Sequence, residues 1–292
     1  MTPSLIGLLD SDTLATTLAE KTGWPKIPLD LHRFPDGEWR IRLLDQPAKN
    51  VVLVCSLDHP NDKVVALVLL CGLLRDTGVE HITLVTPYLA YMRQDVAFNP
   101  GEGVSARYFA QLLSAHVDKL VTIDPHLHRI AALEEVYTIP CVTLHAAPLL
   151  GAWVRDNLQN VALIGPDGES EQWVSEVAGI ASAPFAVMEK KRFGDRDVRI
   201  EVPDLSAWKG RTILLVDDMI STGRTLMVVA EQLRAQGFTD IRALCVHALH
   251  DDEAAAKMQA AGINAVLSCN TVIYASNAVD IAEFLLQGIG RG

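Results

Sequence analysis

Two adjacent aspartates, Asp217 and Asp218, stand between an apolar run, Thr212 to Val216, and a stretch of small and hydroxylated residues, Ser221, Thr222, Gly223 and Thr225. Residues of these types in this order suit the binding of a phosphorylated sugar. A loop of small residues that opens a helix offers backbone N–H groups and hydroxyls to a phosphate. Carboxylates repel that phosphate, so Asp217 and Asp218 must face another part of the ligand. Ribose hydroxyls suit them, because a carboxylate accepts hydrogen bonds from them. The plainer alternative is an acidic strand end followed by a helix N-cap, a place where Asp and Ser are both common.

The elements that must position these groups are legible on either side. Thr212 to Val216 reads as a buried parallel strand with the two carboxylates where it ends, and Leu226 to Gln236 as an amphipathic helix. Ligands of open α/β sheets bind beyond the carboxyl ends of the strands, which is where this loop falls. Other polar groups follow predicted strands in the same way. Arg93, Gln94 and Asp95 come after Ile82 to Thr86; Asp124, His126 and His128 after Lys119 to Ile123; Asp167 after Val161 to Ile164. A zinc site would need three or four ligands at close quarters, so the histidines are either ordinary loop residues or, as suits them better, take a part in Mg²⁺ hydration or phosphate contact. Lys190, Lys191, Arg192 and Arg196 form a basic run behind Phe185 to Met188. Such a run is either a solvated hairpin tip or a segment that folds over the same site. Pro35-Asp36-Gly37 is strong turn chemistry and predicts a hairpin, with Arg40 and Arg42 on one face and Ile41 and Leu43 on the other.

Strand and helix patterns alternate through all 292 residues, nearly half of them hydrophobic, so a sizeable core is expected. The alternation starts afresh near Pro140 to Pro148, which predicts two domains, 1–145 and 146–292, related by element pattern and not by residue identity. Among the expected elements are a strand Val51 to Leu57, a following helix capped by Asn61 or Asp62, and a closing helix Val279 to Leu286. A net charge of −11 without a basic stripe argues against a nucleic-acid partner. The five cysteines have no CxxC spacing and read as reduced thiols. No targeting pattern opens the chain, and the longest apolar run, Val64 to Leu74, is too short to span a bilayer. A cytoplasmic protein without a membrane partner is expected.

Eight segments together resemble one family. They are Phe34-Pro35-Asp36-Gly37-Glu38, Pro60-Asn61-Asp62, Pro87-Tyr88 through Arg93-Gln94-Asp95, Asp124-Pro125-His126, Gly165-Pro166-Asp167, Lys190 to Arg192, Asp217 to Thr225, and Ser268 to Thr271. In this order, over nearly the whole chain, they resemble the ribose-phosphate diphosphokinases, which make phosphoribosyl diphosphate (PRPP), and among them the short archaeal-type branch. Ser221 departs from the aspartate that many relatives carry, and Arg224 from a small residue.

The resemblance implies an α/β protein of two tandem type I phosphoribosyltransferase-like domains, each a mostly parallel sheet flanked by helices, with the phosphate loop only in the second. It implies Mg²⁺-dependent transfer of the β,γ-diphosphoryl group of ATP to the 1-hydroxyl of ribose 5-phosphate. By position, Ser221, Thr222, Gly223, Arg224 and Thr225 would hold the 5-phosphate, and Asp217 and Asp218 the ribose hydroxyls. His126 and Asp167 would serve the Mg²⁺–ATP site, while Arg93, Gln94 and Asp95 would contact ATP. Phe34, Asp36 and Glu38 would reach the adenine of a neighbouring subunit, which requires a homo-oligomer. Lys190 and Arg192 would be catalytic. A phosphoribosyltransferase that consumes PRPP, and a non-catalytic subunit associated with the synthetase, stay open as other readings.

Overall fold

Apolar runs of four or five residues separated by helical stretches fold here into two units, Met1–Leu144 with Ile281–Gly292, and His145–Asp280. The computed structural model describes residues 2–127, 129–192, 198–201 and 203–290.

The first unit opens with β1 (Ser4–Gly7), α1 (Asp12–Thr22) and a hairpin of β2 (Leu29–Arg33) and β3 (Trp39–Leu43). It continues through β4 (Asn50–Val54), α2 (Pro60–Asp76), β5 (His81–Val85), α3 (Ser105–Ser114), β6 (Lys119–Ile123) and β7 (Cys141–Leu144). Its sheet has the order β1-β4-β5-β6-β7 and is parallel throughout. Strand order thus follows chain order without a reversal. Val51 to Val54 are all buried, as a strand covered on both faces requires. Leu67, Leu70 and Leu74 of α2 and Phe109 and Leu113 of α3 pack on one face of the sheet. The hairpin lays Trp39, Ile41 and Leu43 against the same core and turns Arg40 outward to Asp30 at 3.1 Å, the period-two pattern of a half-buried strand.

The second unit comprises α4 (Ala147–Asn157), β8 (Val161–Gly165), α5 (Glu171–Ala181), β9 (Phe185–Val187), β10 (Glu189–Arg192) and β11 (Val198–Glu201). Then come β12 (Thr212–Ile220), α6 (Arg224–Ala235), β13 (Ile241–Ala248), α7 (Asp252–Ala260), β14 (Ala265–Cys269) and β15 (Asn277–Val279). The sheet order is β15-β14-β13-β12-β8-β9, with parallel neighbours. The chain steps outward from β8 to β9 and then returns to the opposite side of β8 for β12, so the order reverses between β8 and β12. β10 and β11 form a separate antiparallel ribbon.

Three expectations need correction. The strand expected over Val51 to Leu57 ends at Val54, and Pro60 opens α2, with His59 and neither Asn61 nor Asp62 at the N-cap. Proline suits a first helical turn because its missing N–H would have had no helical partner. Val279 belongs to β15, and the closing helix α8 spans Ala282–Ile289. That helix groups with Met1–Leu144 and not with His145–Asp280. Lys119 of β6 donates to the carbonyls of Gly288 at 3.0 Å and Ile289 at 3.4 Å, which satisfies the open C-terminal end of the helix. Gly288 permits the approach, since a Cβ there would lie 2.8 Å from Val121 Cγ1 and 3.2 Å from Leu144 Cδ1. Among the described residues no helix is long and apolar enough to cross a membrane.

Gly288→Val is therefore expected to cost about 1–3 kcal/mol, the usual range for overpacking a tight contact, as read by urea unfolding. Unchanged stability would show that α8 is not docked against β6 and β7.

Candidate functional site

The site begins with the unequal lengths of three strands. β8 pairs with β12 only as far as Ile164↔Leu215, whereas β13 pairs with β12 as far as Ala248↔Ile220. Past Leu215, β12 keeps a strand partner on one side only. The expected strand end at Val216 is thus corrected: Asp217 and Asp218 lie inside a nine-residue strand that continues to Ile220. Ligands of parallel sheets bind where strand order reverses, and the two carboxylates stand at that reversal.

Alternation along the strand gives the two carboxylates different surroundings. Asp217 shares strand parity with Ile213 and Leu215, whose side chains are in the core beneath α6. Burial, the neighbouring charge of Asp218 and, more weakly, that of Asp167 push the Asp217 carboxyl up to about 8. A hydrogen bond from the Asp218 N–H to Asp217 Oδ1 at 3.0 Å offsets part of this. Met219 N–H in turn donates to Asp218 Oδ1 at 2.7 Å. Asp167 sits just beyond β8 in a turn held by Ser170, whose hydroxyl donates to the Asp167 carbonyl at 2.6 Å.

The loop after β12 takes its shape from Gly223. Its φ of +66° is left-handed, and a Cβ there would stand 2.5 Å from Met258 Sδ of α7. Only glycine fits both constraints. Gly223 is the N-cap of α6 and offers no side chain to the first-turn N–H groups, which remain available to an anion. Ser221 and Thr225 are half-buried beside it, while Thr222 and Arg224 are exposed. Ser268 and Thr271 have structural bonds instead. Thr271 Oγ1 donates to the Val246 carbonyl at 2.7 Å and accepts from His247 Nδ1 at 2.9 Å. Ser268 Oγ lies 2.7 Å from Ser276 Oγ.

In the first unit the candidate residues follow β5 and β6. Arg93 is exposed, and Gln94 is half-buried with its Oε1 bonded to the Ser105 hydroxyl. His126 is half-buried in the segment after β6. Asp95 turns inward: its side chain has no exposure, and it accepts from Arg129 N–H at 2.7 Å and Nη1 at 3.0 Å. Both oxygens of that carboxylate are thus engaged within the first unit. Those bonds outweigh burial and hold the Asp95 carboxyl below its ordinary range. Arg129 was given no role by the sequence reading; its only signal there was a cation three residues beyond His126.

The hairpin tip is a tight turn with Phe34 N–H on the Glu38 carbonyl at 2.8 Å and Gly37 at φ +98°. Phe34, Asp36 and Glu38 are all exposed at this tip, and Arg33 pairs with Asp62 of α2 at 3.8 Å. Lys190 and Arg192 belong to β10, whose backbone pairs with β11; their side chains, His128 and residues 193–197 with Arg196 lie outside the described structure. Arg93, Gln94, Asp95 and His126 thus belong to the first unit, and Asp167, Asp217, Asp218 and Ser221 to Thr225 to the second.

Among the described residues, no three of His, Cys, Asp and Glu converge closely enough to hold an ion by themselves. Asp167 and Asp218 both act on the Asp217 carboxyl through their charge, and carboxylate oxygens of this kind suit a hard cation such as Mg²⁺ better than a soft one.

A parallel sheet that reverses beside paired carboxylates, with a glycine-turned loop opening the next helix, defines a phosphoribosyltransferase-type protein. Residues 4–116 match the family model for the N-terminal domain of ribose phosphate pyrophosphokinase, and residues 132–283 that for the phosphoribosyl transferase domain. A ribose-phosphate pyrophosphokinase of Methanopyrus kandleri is 35% identical over 279 residues, covering 94% of each chain. One of Methanosarcina acetivorans is 31% identical over 288 residues, covering 98% of this chain and 99% of that one. In fold, the chain matches a crystal structure of phosphoribosylpyrophosphate synthetase from Mycobacterium smegmatis with TM-score 0.82 at 23% identity, over 99% and 98% of the two chains. The chain belongs to the ribose-phosphate pyrophosphokinase family.

The raised Asp217 carboxyl yields a pH prediction. A carboxyl whose folded pKa lies above its unfolded value favours the folded state while protonated and loses that advantage as pH rises. Without ligands, Asp217→Asn should gain stability over the natural protein progressively between about pH 4 and pH 8, reaching about 1–3 kcal/mol, after allowance for water at the site. Thermal unfolding across that range measures it; a pH-independent difference would mean that Asp217 is not strained by its charge.

Proposed function

We propose that this protein transfers the β,γ-diphosphoryl group of Mg²⁺–ATP to the 1-hydroxyl of ribose 5-phosphate. The sugar oxygen attacks the β-phosphorus, the bond from that phosphorus to the α,β-bridging oxygen breaks, AMP leaves and the hydroxyl proton is released. The observation that carries the reading is the conjunction of two matches in one chain. The first half fits the diphosphokinase N-terminal domain, which a lone base transferase has no need of, and the second fits the phosphoribosyl transferase domain, with a glycine-turned loop after paired carboxylates.

The roles follow from charge and position. The 5-phosphate would take the N–H groups and hydroxyls of Ser221 to Thr225, and the ribose hydroxyls would donate to Asp217 and Asp218. Exposed Arg224 can add charge at the phosphate or face solvent. Arg93, Gln94 and His126 would meet ATP. His126 and Asp167 would hold Mg²⁺, partly through water, and the bound ion would neutralise phosphate charge. Lys190 and Arg192 would add positive charge where the transition state gains negative charge. Phe34, Asp36 and Glu38, exposed on a hairpin braced by α2, would reach the adenine of a second copy, which makes the working form a homo-oligomer. A cytoplasmic location belongs to the same reading.

Incubation with ATP, Mg²⁺ and ribose 5-phosphate is expected to give AMP and PRPP in equal amounts, and AMP only when the sugar is present. ADP as product would make the protein an ordinary kinase; no nucleotide turnover would favour a base transferase or a non-catalytic subunit. Lys190→Ala should lower kcat by about 10²–10³-fold, the scale of a lost transition-state charge contact, with ribose 5-phosphate binding retained. An undiminished kcat would remove Lys190 from the chemistry.

A further inference from the structure

Two segments leave adjacent strands of the first sheet at their carboxyl ends. The one after β5 carries Arg93 and Gln94, and the one after β6 carries His126. Asp95 and Arg129 tie them together. Asp95 is fully enclosed, while the Arg129 side chain is 56% exposed. One carboxylate oxygen takes the Arg129 N–H and the other its guanidinium, so two directed bonds fix one arrangement. The guanidinium carbon also lies 5.4 Å from the centroid of the Phe98 ring, in cation–π contact. Phe98 is anchored in turn, since Glu102 accepts the N–H groups of Phe98 at 2.7 Å and Asn99 at 3.1 Å. From the other side, Ala106 N–H of α3 holds the Gln94 carbonyl at 3.2 Å.

Enclosing a carboxylate is costly unless it is paired and hydrogen-bonded, and an apolar contact could join two loops at less expense. What the ion pair adds is direction. It sets where Arg93 and Gln94 stand relative to His126.

We propose that Asp95 and Arg129 are positioning residues of the nucleotide half-site, holding the Arg93–Gln94 segment and the His126 segment in the register that lets both meet one nucleotide. The proposal rests on the diphosphokinase reading for which substrate is affected. Asp95 touches no substrate in this scheme; it acts through Arg129. The contacts of the pair are with residues of the first unit, whereas the loop after β12 belongs to the second, so the effect is expected to fall on ATP.

Asp95→Asn, Arg129→Met, Arg129→Lys and the double variant Asp95→Asn/Arg129→Met provide the test, each first checked for cooperative thermal unfolding. ATP affinity is measured by equilibrium dialysis, and both KM values by PRPP formation. Asp95→Asn and Arg129→Met are each expected to weaken ATP binding and raise its KM by about 10- to 100-fold, the scale of a small misplacement of binding groups, with the KM for ribose 5-phosphate within about twofold. The double variant should be no worse than the worse single one, because either change alone releases the link. Arg129→Lys should recover part of the loss. Arg129→Met keeps the test open if Asp95→Asn fails to fold, since it alters the exposed end of the pair. Unaltered ATP affinity, equal shifts for both substrates, or additive single effects would each overturn the proposal. ATP affinity lost in the variants of a protein that forms no PRPP would overturn the diphosphokinase reading and uphold the pair.

Discussion

The reversal of strand order between β8 and β12 is the constraint on which the candidate site depends. At that point the connection leaving β8 runs toward β9 and the connection leaving β12 runs toward β13, so the two loops part and leave a crevice. β8 stops while β12 continues, which removes a strand partner from one side of Asp217 and Asp218. In the first unit the strands follow chain order, without such a reversal. At the ends of its β1 and β4 the polar groups satisfy one another instead. Lys63 donates to Asp10 and Asp58 at 2.7 Å each and to the Ser56 carbonyl at 3.0 Å, filling all three of its N–H positions.

The acidic balance of the chain fits this division. The loop around Gly223 offers an anion backbone N–H groups and hydroxyls rather than a general positive field. Carboxylates beside that loop repel one another when nothing neutralises them, and burial together with the charge of Asp218 raises the Asp217 carboxyl. A ligand bringing hydroxyl donors or a cation would relieve the repulsion, so part of its binding free energy is prepared in the empty fold. This is the familiar exchange of stability for function at a site built from like charges.

Most of the sheets could be read from the sequence because buried parallel strands announce themselves as apolar runs, and the hairpin because Pro35-Asp36-Gly37 admits few shapes. The failures have specific causes. Asp217 and Asp218 looked like a strand end because polar residues usually stop a buried strand; here β13 continues to pair where β8 does not. Asn61 and Asp62 looked like helix caps, yet Pro60 had already begun the helix. The inward turn of Asp95 depends on Arg129, 34 residues later, and no local pattern records such a partner. The docking of α8 is more remote still, since Lys119 meets a carbonyl 169 residues away. Local propensity and period fix elements; only packing decides which distant residues those elements share.

The return of α8 to the first unit bears on how the chain is made. A ribosome releases residues 145–280 before it releases the helix that covers Val121 and Leu144. The unit synthesised first is thus the last to receive all its parts, while the one inserted within it is complete in a single uninterrupted segment. Domains generally fold as units in the order in which they emerge. Here the order of completion runs against the order of synthesis, and the half-built first sheet must wait with part of one apolar face uncovered until the final turns of helix emerge.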